Sequence, residues 1–259
     1  MRKFVIAANW KMHKSPSETT AYFNAFLPKL DDSGAAKDPA FRKVIFFVPA
    51  IDLITASQSL RGTNVGWGAQ NCHFEMKGAF TGENSPQVLA ELATPFALVG
   101  HSERRAIFHE TEAETAKKVK ALHQVGMTPM LCVGESLAER EAGQTNNVII
   151  RQLTTGLSER DSTKPIIVAY EPVWAIGTGE VATAEDAQEV CQALRTTLAA
   201  RAGGETADGT RILYGGSVKA DNVVAIMAQP DVDGALVGGA SLDADEFAKI
   251  VRFPASHSG

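Results

Sequence analysis

The stretch Ile166-Ile-Val-Ala-Tyr170-Glu171-Pro172-Val-Trp-Ala-Ile-Gly177-Thr-Gly179 joins an apolar run to a carboxylate and then to a segment bounded by proline and glycine. An apolar run of this length that is continuous, not alternating, reads as a strand buried on both faces. Pro172 fixes the backbone leaving that strand and biases Glu171 to extended geometry, whereas Gly177 and Gly179 tolerate the changes of φ that a moving segment requires. Rigid entry and permissive exit predict a lid comprising Pro172, Val173, Trp174, Ala175, Ile176, Thr178 and Gly179, with Glu171 at its root. An isolated Glu-Pro pair on a loop is more often a solvated surface feature, so the surrounding chain has to decide.

Seven more runs of the same kind recur at residues 4–8, 44–48, 65–69, 96–99, 130–133, 212–214 and 235–237. Amphipathic segments lie between them. Thr111 with Glu114, and Ser136 with Glu139, match the capping box that opens a helix. After Thr183 the apolar residues Ala187, Val190, Cys191, Leu194 and Leu198 follow a helical stripe, with Glu185 and Asp186 at its positive end. Eight alternations of buried strand and helix, without a linker or repeat boundary, predict an α/β fold: a single eight-stranded parallel β/α barrel over residues 1–259, with 254–259 as a polar tail. A doubly wound open sheet is the alternative.

The 259 residues carry a net charge of −5 with 44% hydrophobic and 21% charged residues, the balance of an ordinary globular domain. Lysines and arginines are scattered and not gathered in a stripe, which argues against nucleic acid as a partner. No apolar run approaches the roughly 20 residues of a membrane span, and the five apolar residues before Asn9 fall short of the roughly 7 to 15 of a signal-peptide core. Cys72, Cys132 and Cys191 form no Cys-x-x-Cys pattern, which predicts reduced thiols and a cytoplasmic location.

Two connections are unusual. Residues 31–41 read as a polar insertion on the surface. Residues 70–85 form a long, Gly-rich segment carrying Phe74, Met76 and Phe80, too apolar to leave in water, and this predicts a subunit contact.

In a closed barrel, residues just beyond the C-terminal ends of the strands converge on one mouth. Those positions hold Asn9 and Lys11, Gly100 to Arg105 with His101 at their head, Glu171, the turn Gly215-Gly-Ser217, and the pair Gly238-Gly239. Gly-rich turns after strands seven and eight fall where barrels bind phosphate through backbone N–H groups. A base, a polarising imidazole, a cation, an amide and a phosphate nest together point to proton abstraction beside a carbonyl in a small phosphorylated substrate, a reaction that needs no cofactor. Gly177-Thr-Gly179-Glu-Val-Ala182 mimics a dinucleotide fingerprint, but five residues separate Glu171 from Gly177 where that motif needs a tight turn directly after the strand. The six histidines form no paired metal-ligand spacing, so no metal is expected.

The motifs Asn9-Trp-Lys11, Gly100-His-Ser-Glu-Arg-Arg105, Ala169-Tyr-Glu-Pro-Val-Trp-Ala-Ile-Gly-Thr-Gly179, Tyr214-Gly-Gly-Ser217 and Gly238-Gly-Ala-Ser-Leu242 resemble, in order and across the whole chain, the triosephosphate isomerase family. The resemblance implies the TIM barrel and the interconversion of dihydroxyacetone phosphate and glyceraldehyde 3-phosphate in glycolysis and gluconeogenesis. That family is the usual illustration of a glutamate base, a neutral histidine and a closing loop. It implies Glu171 as proton carrier and His101 as electrophile. Lys11 and Asn9 would stabilise the enediolate, and Gly177, Ser217, Gly238 and Gly239 would contact phosphate. Glu103 and Ser102 would support them, and a homodimer would form in which the 70–85 loop, with Thr81 near its tip, reaches the neighbour's site. His13, the 31–41 insertion and the tail depart from the family pattern. A Schiff-base aldolase using Lys11, or a sensor that binds sugar phosphate without turning it over, are the rival classes.

Overall fold

The structure is a computed structural model that describes residues 2–31, 42–175 and 182–254. Eight strands form a closed barrel in sequence order: β1 (Phe4–Asn9), β2 (Arg42–Val48), β3 (Gly66–Ala69), β4 (Phe96–Val99), β5 (Thr128–Val133), β6 (Ile167–Tyr170), β7 (Arg211–Tyr214) and β8 (Gly234–Val237). Every neighbouring pair is parallel, and the ring closes where Val5 to Ala8 of β1 align with Gly234 to Val237 of β8. That closure decides against the open sheet.

Each strand separates two cores. Val5, Ala7, Ile45, Phe47, Leu98, Met130, Cys132, Ile167, Ala169, Leu213 and Leu236 fill the barrel interior. Their alternate neighbours, among them Ile6, Ala8, Phe46, Val168, Tyr170, Ile212 and Val237, pack outward against the helices. Both faces being apolar explains why the runs are continuous in sequence. Gly68 shows how tightly the interior is filled: a Cβ there would lie 2.7 Å from the Phe47 ring and from the Phe96 carbonyl.

The expected helix starts are present. Capping boxes open helices Glu112–Gln124, Leu137–Glu141 and Ala184–Ala202, and the last buries Ala187, Val190, Cys191, Leu194 and Leu198 on one face. Outside β1 and β2, Trp10, Tyr22, Phe23, Phe26, Phe46 and Phe247 form an aromatic cluster with ring centroids 4.9 to 5.8 Å apart. That cluster fixes the strand end from which Asn9 and Lys11 emerge. Of the 31–41 insertion, Asp31 closes helix Pro16–Asp31 and the remainder lies outside the described residues. All three cysteines are buried and free.

Candidate active site

Alternation along the strands determines which side chains reach the mouth. On β1, Val5 and Ala7 point inward, so Asn9 does as well; on β6, Ile167 and Ala169 point inward, and the next inward position is Glu171. Leu213 and Leu236 carry the same register to Gly215 and Gly238. Glu171 is 2% exposed, and its N–H donates to the Val133 carbonyl at 2.7 Å. It fits there because its neighbour on the next loop is glycine: a Cβ on Gly134 would sit 1.8 Å from the Glu171 carbonyl oxygen.

The carboxylate of Glu171 has two partners. Oε1 lies 2.9 Å from His101 Nε2, and Oε2 accepts the Ser102 N–H at 2.9 Å. On the far side of the ring, Nδ1 accepts the Glu103 N–H at 3.2 Å. An imidazole nitrogen that accepts an amide carries no proton, so the hydrogen-bond pattern assigns a ring protonated on Nε2 and donating to Glu171. Burial, the largest single influence, disfavours the charged ring, yet the Glu171 and Glu103 carboxylates together outweigh it and hold His101 above its ordinary pKa. Burial also raises Glu171, but His101, the Ser102 amide and Lys11 together hold it below the usual carboxylate range.

Lys11 pairs with Glu103 at 2.7 Å. Its backbone is left-handed, with φ at 51°, and hydrogen bonds at its N–H and its carbonyl hold that conformation. Its N–H donates to Asn9 Oδ1 at 3.0 Å, and Gln70 Nε2 donates to the Lys11 carbonyl at 2.8 Å and to that of Phe47 at 3.1 Å. Strain of this kind persists where the surroundings over-determine it.

These groups border one cavity of about 300 Å³, whose wall includes Asn9, Lys11, His101, Glu171, Ser217, Gly238 and Gly239. That volume is at the low end of the roughly 300–1,000 Å³ of ligand pockets, so it suits a small substrate. No group of histidine, cysteine or carboxylate side chains among the described residues could hold a metal ion.

A family model described as triosephosphate isomerase matches residues 4–254. The chain belongs to the triosephosphate isomerase family. It is 52% identical to the triosephosphate isomerase of Bdellovibrio bacteriovorus over 96% of this chain and 98% of that one. It is 47% identical to those of Caldanaerobacter subterraneus subsp. tengcongensis, over 98% and 100% of the two chains, and Streptococcus pyogenes serotype M2, over 97% and 98%.

Against the triosephosphate isomerase motifs, the sequence reading passed over several residues that shape the site. Glu135, just past β5, is fully buried and accepts from Tyr170 OH at 3.1 Å and from Trp174 Nε1 at 2.9 Å. Its position two residues beyond β5 was the available signal. Lys219 lies on the cavity wall after the Gly215-Gly-Ser217 turn, and Gln70 supports Lys11 from the start of the long loop. Beyond Pro172, Val173–Ala175 form a 3-10 turn whose Ala175 carbonyl accepts from Ser217 Oγ at 3.3 Å. Ile176, Gly177, Thr178 and Gly179 lie outside the described residues. The 70–85 loop is bound to itself, with His73 N–H donating to Asn84 O at 2.9 Å and Phe80 stacked on His73, and its tip at Phe80 and Thr81 is exposed.

Proposed function

We propose that Glu171 is the proton carrier with which this chain, a triose-phosphate isomerase by family and so an enzyme of glycolysis, interconverts dihydroxyacetone phosphate and D-glyceraldehyde 3-phosphate. The observation that carries the assignment is a carboxylate at the cavity wall held by one imidazole N–H and one amide N–H. Held this way it is a weak base. A substrate carbonyl entering the cavity competes for the His101 Nε2 proton and for Lys11, which deprives Glu171 of its main stabilising partner and raises its basicity. Glu171 then removes the proton from the hydroxyl-bearing carbon, the bonding pair becomes the enediolate double bond, and the carbonyl pair moves onto oxygen. His101 and Lys11 stabilise that oxygen and Asn9 orients it; His101 Nε2 gives it a proton and takes one from the neighbouring hydroxyl, whose oxygen becomes the new carbonyl as Glu171 returns its proton to the former carbonyl carbon. Ser102 and Glu103 position Glu171 and His101.

Ser217, Gly238, Gly239 and Gly177 are read as the phosphate contacts and Pro172 to Gly179 as the lid. The Ser217–Ala175 hydrogen bond supports this reading, because it ties the lid root to the phosphate turn. The ion pair of Lys11 with Glu103 is the opposite of the setting a neutral amine nucleophile needs, so the aldolase reading gains no support. A homodimer is supported by a second cavity of about 310 Å³ beside the first, lined by Met12, Gly82, Glu103 and Phe108 and reached by exposed Met12 and Phe108 side chains. A second copy's Thr81 loop is the occupant proposed for it. No helix among the described residues is long and apolar enough to cross a membrane, and three unpaired buried cysteines support a cytoplasmic address. Exchange of substrate hydrogen with solvent, followed in parent and Glu171→Gln protein, tests the assignment: the variant should lose both exchange and isomerisation, and a fully active variant would overturn it.

A further inference from the structure

Lys14 has φ at 74°, a left-handed backbone that costs an ordinary side chain and that glycine adopts freely. A non-glycine residue held there points to a use for its side chain. The Lys14 ammonium donates to the Leu242 carbonyl at 3.1 Å, across 228 residues of sequence. It also lies 4.7 Å from the ring centroid of Tyr22 and 5.3 Å from that of Trp10, both buried in the aromatic cluster. Leu242 ends the 3-10 turn Gly239–Leu242 that follows Gly238. The rest of this turn is also bound from behind: Ser241 N–H and Oγ donate to Gly238 O at 2.9 and 2.6 Å, and the Tyr22 hydroxyl donates to Ser241 O at 2.8 Å. Burial keeps the Tyr22 phenol protonated, and hence a donor.

We propose that Lys14 is a positioning residue for the substrate phosphate, anchoring the outer end of the Gly238–Leu242 turn so that the Gly238 and Gly239 backbone stays in its binding geometry. Lys14 acts through the Leu242 carbonyl and reaches the turn from the β1 side, with the aromatic rings fixing its ammonium. The inference rests on the phosphate reading of Gly238 and Gly239.

The test uses the full-length protein and inorganic phosphate as the probe, read as competitive inhibition of isomerisation. Lys14→Met removes the donor while keeping a long side chain, and Lys14→Gly removes the side chain together with its backbone strain. Both should raise the inhibition constant and KM about threefold to tenfold, with kcat within about twofold, as loss of one anchoring hydrogen bond implies. Lys14→Arg, whose guanidinium can lie over the same rings and reach the same carbonyl, should restore binding. Lys14→Gly should melt within about 2 °C of the parent or above it, which separates lost phosphate affinity from lost stability. If Ser217→Ala weakens phosphate binding and neither Lys14→Met nor Lys14→Gly does, the Lys14 role is overturned and the phosphate reading stands. If Ser217→Ala, Lys14→Met and Lys14→Gly all bind phosphate like the parent, both are overturned.

Discussion

Glu171 and Glu110 are both buried carboxylates, 2% and 7% exposed, and both are held below the usual carboxylate range, but their partners differ in kind. Glu110 accepts from Lys118 Nζ at 2.6 Å, Arg104 Nε at 2.7 Å and Gly100 N–H at 3.0 Å, two fixed cations and an amide. Glu171 has an imidazole and an amide. Losing Glu110 would leave the Lys118 ammonium buried without its carboxylate, so Glu110 is locked. On the proposed mechanism, an imidazole that offers its Nε2 proton to a substrate carbonyl lets Glu171 go, and a buried carboxylate becomes a usable base when its partner can be shared with substrate.

The largest expected effect breaks the functional half of this contrast. Glu171→Gln should cut kcat by about 10²- to 10⁴-fold, the contribution of a positioned acid–base group, while shifting unfolding free energy by no more than about 1 kcal/mol. Glu110→Gln should do the reverse. It leaves the Lys118 ammonium, 6% exposed, without its carboxylate, and breaking a buried pair from one side costs about 3–5 kcal/mol, read as a lowered denaturant midpoint with kcat retained at a permissive temperature. If Glu171→Gln proves the more destabilising of the two, the division between locked and releasable carboxylates is wrong.

Acid titration sharpens the same contrast. Both folded carboxylates titrate below the ordinary value of 4.5, so the unfolded chain binds more protons in the window just under that pH. Their contribution to stability is present above about pH 4.5 and is lost as pH falls through the folded values. Removing Glu110 should flatten the acid limb of a stability–pH curve, measured by denaturant unfolding between about pH 3 and 6. His101 works in the opposite sense: its folded pKa lies above 6.5, so its contribution is complete below that pH and declines as pH rises through the folded value. An acid limb as steep in Glu110→Gln as in the parent would show that other carboxylates govern it.

The strands were legible because both their faces are buried, and the mouth was legible because the inward register steps by two from the last apolar inward residue, from Ala169 to Glu171 and from Ala7 to Asn9. What sequence could not supply were partners distant along the chain. Gln70 supports Lys11 across 59 residues, Trp174 reaches Glu135 across 39, and Lys14 reaches Leu242 across 228, with no local pattern to announce any of them. The left-handed backbone of Lys11 and Lys14 was hidden for the same reason, since lysine gives no hint of a positive φ. By contrast, the helix caps at Thr111 and Ser136 depend on residues three apart and appear where the pattern puts them. Local chemistry is readable in one dimension; the tuning of a base by residues from other strands is not.

Glu135 supplies a third buried carboxylate that lies between the two extremes. Tyr170 at 3.1 Å and Trp174 at 2.9 Å donate to Oε1, Arg140 stands 3.6 Å away, and Oε2 has no hydrogen-bond partner among the described residues. Trp174 sits in the 3-10 turn at the root of the proposed lid, so lid motion would make or break its hydrogen bond, while Tyr170 is fixed in β6. Trp174→Phe keeps an aromatic body against the Arg140 guanidinium and removes only the Nε1 donor. The remaining donors limit the loss to about 1 kcal/mol, the smallest of these effects, because Glu135 is not left unpaired. If the bond serves the lid and not the fold, kcat and KM should change together by up to about fivefold, with the denaturant midpoint nearly unchanged. Tyr170→Phe, which removes a donor the lid cannot carry away, should instead lower the midpoint. Equal losses of stability in the two variants would mean that Glu135 resembles Glu110 more than Glu171 and that its contact with the lid root is only structural.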